Sequence, residues 1–180
     1  MLPRFAVSHD VLDAGAVSAS LVGRDFSPGD FSPGDFSPGD GPEGPRHPVG
    51  AFIAFSGLVR GTNQGRQVLR LDYEGYDAMI VRVFARIAAE IDEHWPGASC
   101  AIHHRLGTLD VGDVSIVIAT ASAHRAAAYA ASRYAIERVK QIAPIWKHEY
   151  FEGGDVWIEG AIAGEDDEAA RKKALVTACA

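Results

Sequence analysis

Cysteine is scarce in this 180-residue sequence, which contains only Cys100 and Cys179. Small domains built on disulfides need several cysteines at regular spacings, and the common zinc and redox motifs need a CxxC pair. The sequence contains neither pattern. This scarcity argues against a disulfide-built fold and a cysteine-based metal site, and it favours a reducing cytoplasm as the location.

Long apolar runs and an excess of positive charge are also missing. No stretch reaches the roughly 20 apolar residues that a membrane span requires, and the N-terminus lacks the apolar core of a secretion signal. The formal net charge is −7, whereas a general nucleic-acid binder needs a basic face to meet phosphates. We therefore expect a single domain that binds neither membranes nor nucleic acids, with a core supplied by its 47% hydrophobic residues.

Lysine is the third scarce residue, since the chain has thirteen arginines but only four lysines. Two of the four, Lys140 and Lys147, flank the proline-broken segment "KQIAPIWK". An ammonium group changes its pKa readily and can act as acid, base or nucleophile, whereas a guanidinium stays charged. The presence of these two lysines in an arginine-rich chain indicates that they act chemically. Two ordinary surface lysines would give the same pattern.

A low-complexity segment interrupts the N-terminal part of the chain. Three tandem copies of Asp-Phe-Ser-Pro-Gly occupy residues 25–39, and proline and glycine dominate residues 24–48. Such a composition cannot bury enough apolar surface to offset the entropy of ordering, and five residues is too short a period for a solenoid. The pattern predicts a flexible insertion in a single domain. The alternative, that the repeated phenylalanines bind a partner, stays open.

Hydrophobic periodicity around this segment predicts an α+β order. A short strand is followed by a helix opening near Asp10, and "VGAFIAFSGLV" has the composition of a strand buried on both faces that ends at Arg60. "QVLRLDYEGY" predicts a more exposed strand, and "SCAIHHRLG" and "DVSIVIATA" predict two strands joined by the loop "GTLDVG". The segments "IWKHEYF" and "VWIEG" predict a closing hairpin, with a helix in the C-terminal tail.

Two helices of the predicted order have clear start signals. Asp77 precedes one helix and Ser122 precedes a longer one from Ala123 to about Ile142, and both are residue types that cap helices. The first helix has an apolar stripe at helical spacing: Ile80, Val83, Phe84, Ile87 and Ile91.

Basic residues recur where predicted elements begin or end. His124 and Arg125 fall in the first turn of the long helix, where backbone N–H groups and the helix dipole already favour an anion. Cations normally avoid this position, which suggests an anion site, although solvent-facing side chains would cost little. His103 and His104 are adjacent on a strand and face opposite ways, so ordinary structural roles are favoured over a metal site.

The segments "GAFIAFSGLVRGTNQG", "LDYEGYDAMIVRVFARI" and "TASAHRAAAYAASRYAIERVKQIAPIWKHEYFEGGDVWIEG" together resemble the catalytic (large) subunit family of molybdopterin synthase. The resemblance runs from about Val49 to Gly160. It implies an α+β chain with an α/β hammerhead-type fold and an antiparallel β subdomain. It also implies a homodimer at the centre of a heterotetramer, with a ubiquitin-like small subunit at each end.

The same resemblance implies an activity in molybdenum cofactor biosynthesis. The family converts cyclic pyranopterin monophosphate to molybdopterin by adding two sulfurs from the C-terminal Gly-Gly thiocarboxylate of the small subunit, without a metal or cofactor of its own. Lys140 and Lys147 take the catalytic positions. The substrate-binding set carried over from the family comprises Leu58, Val59, Arg60, His124, Arg125, Lys140, Lys147, His148 and Glu149.

The length of the predicted helix limits which of these residues can share one pocket within a single chain. The fifteen steps from Arg125 to Lys140 span about 22 Å at ~1.5 Å per residue, which is too wide for one small-molecule pocket. If the helix is continuous, we expect a composite site across the homodimer interface. Two other functions stay open at this point, a non-catalytic module that binds a ubiquitin-like partner or a phosphorylated ligand, and a phosphoesterase, although the latter lacks an evident metal cluster.

Overall fold

The computed structural model describes residues 2–22, 49–158, 160 and 167–180. The low-complexity insertion predicted for residues 24–48 lies outside the described residues. The described residues form nine strands and four helices. In chain order these are β1 (Phe5–Ser8), α1 (Ala14–Val22), β2 (Ala51–Leu58), β3 (Thr62–Asn63), β4 (Arg66–Gly75), α2 (Asp77–His94), β5 (Ser99–Arg105), β6 (Gly107–Asp110), β7 (Val114–Ser122), α3 (Arg125–Ile142), β8 (Ile145–Phe151), β9 (Gly154–Ile158) and α4 (Glu168–Ala178).

The strands form two sheets. The first has the order β1-β5-β7-β2, in which only the β1–β5 pair is parallel. The second is antiparallel throughout, with the order β3-β4-β8-β9 and with β6 also paired to β4. The predicted α+β class with an antiparallel β subdomain is therefore confirmed.

The main core lies between the first sheet and helices α2 and α3. Four residues of the predicted α2 stripe are fully buried there, while Val83 is partly buried at the edge of the same cluster. The four are Ile80, Phe84, Ile87 and Ile91. Small residues of α3, such as Ala131 and Ala135, let this helix approach the core closely. Periodicity therefore located the α2 core face correctly.

The predicted side-chain caps of the two long helices are wrong. Tyr76 is the N-cap of α2, and Asp77 is already its first helical residue, without a side-chain cap bond. Ser122 belongs to β7, where pairing with Ala51 holds its backbone extended, and His124 is the N-cap of α3. In α1 the helix starts later than predicted, because the carboxylate of Asp13 accepts hydrogen bonds from the first turn.

Two strand predictions also need correction. Strand β2 is not buried on both faces, because it lies at the edge of its sheet, and Phe55 and Leu58 are 36% and 56% exposed. The segment predicted as a loop between β5 and β7 contains β6, which pairs with the middle of β4. Sequence composition identified apolar strands but could not show which strand would occupy an edge.

A buried charge network fixes the C-terminal helix to the rest of the fold. Arg138 of α3 is fully buried, and its guanidinium donates hydrogen bonds to Glu90 of α2 and to Asp167, the N-cap of α4. Arg86 adds a second ion pair to Asp167 at 2.9 Å, and the Tyr134 hydroxyl donates to Glu90 at 2.8 Å. We call these five residues the Arg138 cluster.

Candidate active site

A single cleft collects most of the residues that the sequence singled out. It has a volume of about 390 Å³ and lies where the end of β2, the end of α3 and strands β4 and β8 of the second sheet meet. Its lining includes six of the nine predicted site residues, which are Leu58, Val59, Arg60, Lys140, Lys147 and Glu149. Residues far apart in the sequence are therefore brought to one place by the contact between the two sheets and α3.

The two lysines reach the cleft because the chain reverses between them. Lys140 lies in the last turn of α3, the backbone becomes extended at Ala143, and β8 starts directly after Pro144. Gly75 of β4 pairs with Ile145 at this point, and a side chain there would come within 2.9 Å of the Pro144 carbonyl oxygen. Close packing of the turn against β4 places both lysines on the lining of the cleft.

Arg60 enters the cleft from the first sheet. Pairing between β2 and β7 shifts register after Gly57, and the Val59 N–H donates to the Asp113 carbonyl at 2.9 Å beyond the strand end. Val59 is consequently buried at 4% exposure, whereas Arg60 and Leu58 on either side are exposed. The end of a strand thus presents one cation and one apolar side chain to the cleft.

Two of the three cations in the cleft have no ion-pair partner within the described residues. Arg60 and Lys140 are exposed and have no hydrogen-bond or ion-pair partner among the residues that the structure describes. Lys147 has the carboxylate of Glu149 3.7 Å from its Nζ, and Asn63 donates to both oxygens of that carboxylate. Three cations face one carboxylate, so the cleft attracts anions although the whole chain is acidic.

The cleft is also lined by two titratable side chains that the sequence did not indicate as site residues. Tyr73 and His104 both line it, with their rings in edge contact at 5.1 Å. Burial lowers the pKa of His104 to about 4 and raises the pKa of Tyr73. Because Nδ1 of the neutral imidazole lies 2.8 Å from the Arg105 carbonyl oxygen, which can only accept, Nδ1 carries the proton and Nε2 is left as an acceptor.

The neighbouring His103 has a different environment, as alternation along a strand predicts. Its Nε2 lies 2.7 Å from the Pro3 carbonyl oxygen, and it does not line the cleft. Strand alternation could have assigned one histidine to the cleft side, but only after the position of the cleft was known.

His148 does not share the side of β8 used by its neighbours. Its ring stacks on Trp157 with centroids 4.3 Å apart, and its Nε2 lies 2.6 Å from the Asp155 carboxylate. Lys147 and Glu149 point to the cleft, so the alternation of the strand directs the His148 side chain to the opposite face. The carried-over set therefore contains one residue whose side chain is outside the cleft.

His124 and Arg125 are also separate from the cleft. Both are exposed at the start of α3, and α3 continues without interruption from Arg125 to Ile142. The predicted continuous helix is confirmed, although it begins two residues later than expected. At ~1.5 Å per residue, Arg125 lies about 22 Å along the helix from Lys140, so one chain does not bring the two ends together.

Neither a thiol nor a metal centre accompanies the cleft in the described part of the chain. Burial raises the pKa of the Cys100 thiol to about 12, which leaves it protonated and unreactive, and Cys179 lies next to the C-terminus. Among the described residues, no group of three or more histidine, cysteine or acidic side chains is placed to bind a metal. Within the same residues, none of the helices has the length and apolar character needed to cross a membrane.

Comparison with known proteins identifies the family of this chain. The model of the family described as MoaE protein matches residues 36–142. The molybdopterin synthase catalytic subunit of Bacillus subtilis (strain 168) is 54% identical over 109 residues, which cover 61% of this chain and 69% of that protein.

Solved structures give the same result at the level of the fold. The crystal structure of molybdopterin synthase from Staphylococcus aureus matches with a TM-score of 0.72 and 32% identity, and the match covers 88% of this chain and 98% of that one. A complex of subunits 1 and 2 of molybdopterin-converting factor from Helicobacter pylori 26695 matches with a TM-score of 0.53 over 67% of this chain and 79% of that one, at 22% identity, which indicates a shared fold. This chain belongs to the MoaE protein family, the family of molybdopterin synthase catalytic subunits.

Proposed function

We propose that this chain catalyses the sulfur-transfer step of molybdenum cofactor biosynthesis. In this step cyclic pyranopterin monophosphate becomes molybdopterin, and the two sulfurs come from the thiocarboxylated C-terminus of a ubiquitin-like small subunit. The observation that carries the proposal is the meeting of Arg60, Lys140 and Lys147 in one cleft beside a single carboxylate. Both substrates of the reaction are anionic, and this is the charge that the cleft is built to receive.

The absence of a reactive thiol at the cleft fits a sulfur donor from outside the chain. Cys100 is buried and protonated, and Cys179 is not part of the cleft lining. A partner that brings sulfur as a thiocarboxylate removes the need for a cysteine nucleophile in this chain. Both cysteines are free, which also fits the proposed location in the cytoplasm.

The lysines have a distinct role in this proposal. Lys140 and Lys147 flank the incoming thiocarboxylate, neutralise its charge and move protons as its sulfur bonds to the side chain of the pterin. Water then cleaves the acyl–sulfur bond, which leaves an ordinary carboxylate on the small subunit. Arg60 holds the phosphate, because a guanidinium donates two parallel hydrogen bonds to phosphate oxygens. The exposed Leu58 and buried Val59 supply the apolar wall of the cleft next to Arg60.

The proposal includes a homodimer with composite sites. Each site takes His124 and Arg125 from the neighbouring subunit, because the continuous helix α3 keeps them about 22 Å from Lys140 of their own chain. The exposed apolar edge of β2, including Phe55 and Leu58, is a surface through which two copies could associate. Each end of this dimer would bind one small subunit.

The experiment is a product assay. The purified chain is incubated with the thiocarboxylated small subunit and cyclic pyranopterin monophosphate, and formation of the dithiolene product is followed. The matched control is the same small subunit with an ordinary C-terminal carboxylate, which should give no product. Binding of both components without product would instead favour the non-catalytic binding module.

A further inference from the structure

Asn63 lines the cleft from a short, tightly turned hairpin. It is the last residue of β3, and the turn to β4 passes through Gln64 and Gly65, which have positive φ values of 49° and 79°. Two successive positive φ values are typical of the turn that matches the twist of a two-residue hairpin. The hairpin thereby fixes Asn63 where its side chain reaches Glu149 of β8, which lies 86 residues later in the chain.

The Asn63 side chain holds both oxygens of the Glu149 carboxylate. Its Nδ2 donates to Oε1 at 3.1 Å and to Oε2 at 2.9 Å. Glu149 is only 2% exposed, and a buried carboxylate without partners would be costly. Within the described residues, the one ion pair of Glu149 is with the Lys147 ammonium, whose Nζ lies 3.7 Å from Oε2.

The 3.7 Å separation between Lys147 and Glu149 is longer than a direct hydrogen bond. Hydrogen bonds between an ammonium and a carboxylate are typically about 2.7–2.9 Å long. The carboxylate therefore attracts Lys147 by charge but does not take up its N–H donors. Without the hydrogen bonds from Asn63, the buried Glu149 carboxylate would move towards Lys147 and form a direct ion pair with its ammonium group.

We propose that Asn63 is a positioning residue, which holds the Glu149 carboxylate away from Lys147 so that the ammonium stays free to meet an incoming anion. The identity of that anion, a thiocarboxylate, rests on the function proposed above. The arrangement of Asn63, Glu149 and Lys147 is independent of that function. The competing explanation is that Asn63 only stabilises its hairpin.

Lysine reactivity tests the arrangement without any assay of turnover. The chain is treated with a limiting amount of an acetylating N-hydroxysuccinimide ester, and modification of the four lysines is measured by peptide mass. In Asn63→Leu we expect acetylation of Lys147 to fall about tenfold relative to Lys172 and Lys173, because a direct ion pair removes its free amine. Unchanged relative reactivity of Lys147 would overturn the proposal.

Two further variants protect this test against a change in folding. Asn63→Ala removes the amide donor without adding bulk or charge beside Glu149, and it should lower the reactivity of Lys147 in the same direction. Gln67→Leu is the matched control, because Gln67 is an exposed amide that pairs with Thr62 in the same hairpin, whereas the Glu149 carboxylate takes its hydrogen bonds from Asn63. A loss in Gln67→Leu as large as that in Asn63→Leu would assign the effect to the hairpin and overturn the proposal.

A double-mutant cycle in the product assay tests whether Asn63 acts through Glu149. We expect Asn63→Leu to lower kcat about tenfold with a smaller change in KM, and to lower it little further when Glu149 is already replaced by Gln. Independent, additive losses would overturn the proposal. If the parent protein makes no product, the proposed function fails, while the acetylation experiment still decides the role of Asn63.

Discussion

The Arg138 cluster and the cleft both concentrate charge, but they use it in opposite ways. Arg138 is fully buried, and three of its guanidinium nitrogens donate to Glu90, Gln141 and Asp167. In the cleft, Lys140 is exposed and has no partner within the described residues. The protein thus pairs the buried Arg138 where a helix must be anchored and leaves Lys140 without a described partner where an anion could bind.

The choice of side chain follows the same division. A guanidinium has a planar fork of donors that can bind two carboxylates at fixed angles, which suits the permanent contacts of Arg138. An ammonium is compact, turns freely and can give up a proton, which suits a site that meets different species during a reaction. This contrast gives a physical reason for two lysines at the cleft of an arginine-rich chain.

The largest expected effect comes from breaking the Arg138 cluster. Arg138→Ala leaves the buried Glu90 and the partly buried Asp167 without their main partner, and we expect a loss of about 3–5 kcal/mol in the free energy of unfolding. Arg138→Lys should recover part of this loss, since one ammonium cannot satisfy both carboxylates as the fork does. The measurement is urea denaturation followed by circular dichroism.

A control for this prediction is available on the neighbouring helix. Arg82 of α2 is exposed, so Arg82→Ala should change the free energy of unfolding by no more than about 0.5 kcal/mol. An equally small loss in Arg138→Ala would show that the buried network contributes little to stability.

The next effect is on activity alone. Lys140→Arg keeps the charge but changes its shape and removes a group that can transfer a proton, so we expect turnover to fall at least about 100-fold, nearly as far as in Lys140→Ala. Stability should stay at the parent value because the side chain is exposed. The product assay measures the loss, with Lys173→Arg in α4 as the matched control. If Lys140→Arg retains most of its turnover, charge alone is sufficient at this position.

The Arg138 cluster also predicts how stability depends on pH. Burial alone would raise the pKa of Glu90 and Asp167, but hydrogen bonds and charge from Arg138 outweigh it and hold both pKa values below their usual range. A lowered carboxyl pKa stabilises the fold above the unfolded-state value, about 4. This stabilisation is lost as the pH falls towards the folded-state pKa, by about 1.4 kcal/mol per pH unit for each proton taken up.

Urea denaturation at several pH values between 7 and 3 measures this slope. Glu90→Gln removes one of the two carboxyl groups, so its stability should fall less steeply with decreasing pH than that of the parent. Glu137→Gln replaces a carboxyl group on α3 outside the cluster and should keep the slope of the parent. Parallel slopes in the parent and Glu90→Gln would contradict the linkage.

Sequence reasoning succeeded for features that depend on neighbours along the chain. The apolar stripe of α2 and the continuity of α3 follow from local periodicity. The rarity of lysine singled out Lys140 and Lys147, which both line the cleft, while their catalytic role stays a prediction. The exposure of β2 was missed, because its composition does not show whether a strand will be central or at an edge.

Contacts between distant residues left no comparable signal. The Arg138 cluster joins positions 29 and 48 residues apart, and the bond from Asn63 to Glu149 spans 86 residues. Sheet pairing and helix packing create these contacts, and no local pattern encodes them.

Six of the nine site residues taken from the family resemblance meet in the cleft, while Asn63, Tyr73 and His104 became visible only with the fold.

The smallest expected change is a partial recovery of activity, and it tests whether one cleft uses cations from two chains. Arg125→Ala and Lys140→Ala should each be nearly inactive alone. In a dimer with composite sites, a mixed dimer has one site with both defects and one site with neither. After full random exchange about half of the dimers are mixed, so activity should return to about a quarter of the parent level.

Exchange is verified by native mass spectrometry of differently tagged chains. Because α3 is continuous, no recovery despite full exchange would mean that Arg125 and Lys140 do not share a site, and Arg125 would then have to act at a separate anion site of its own chain.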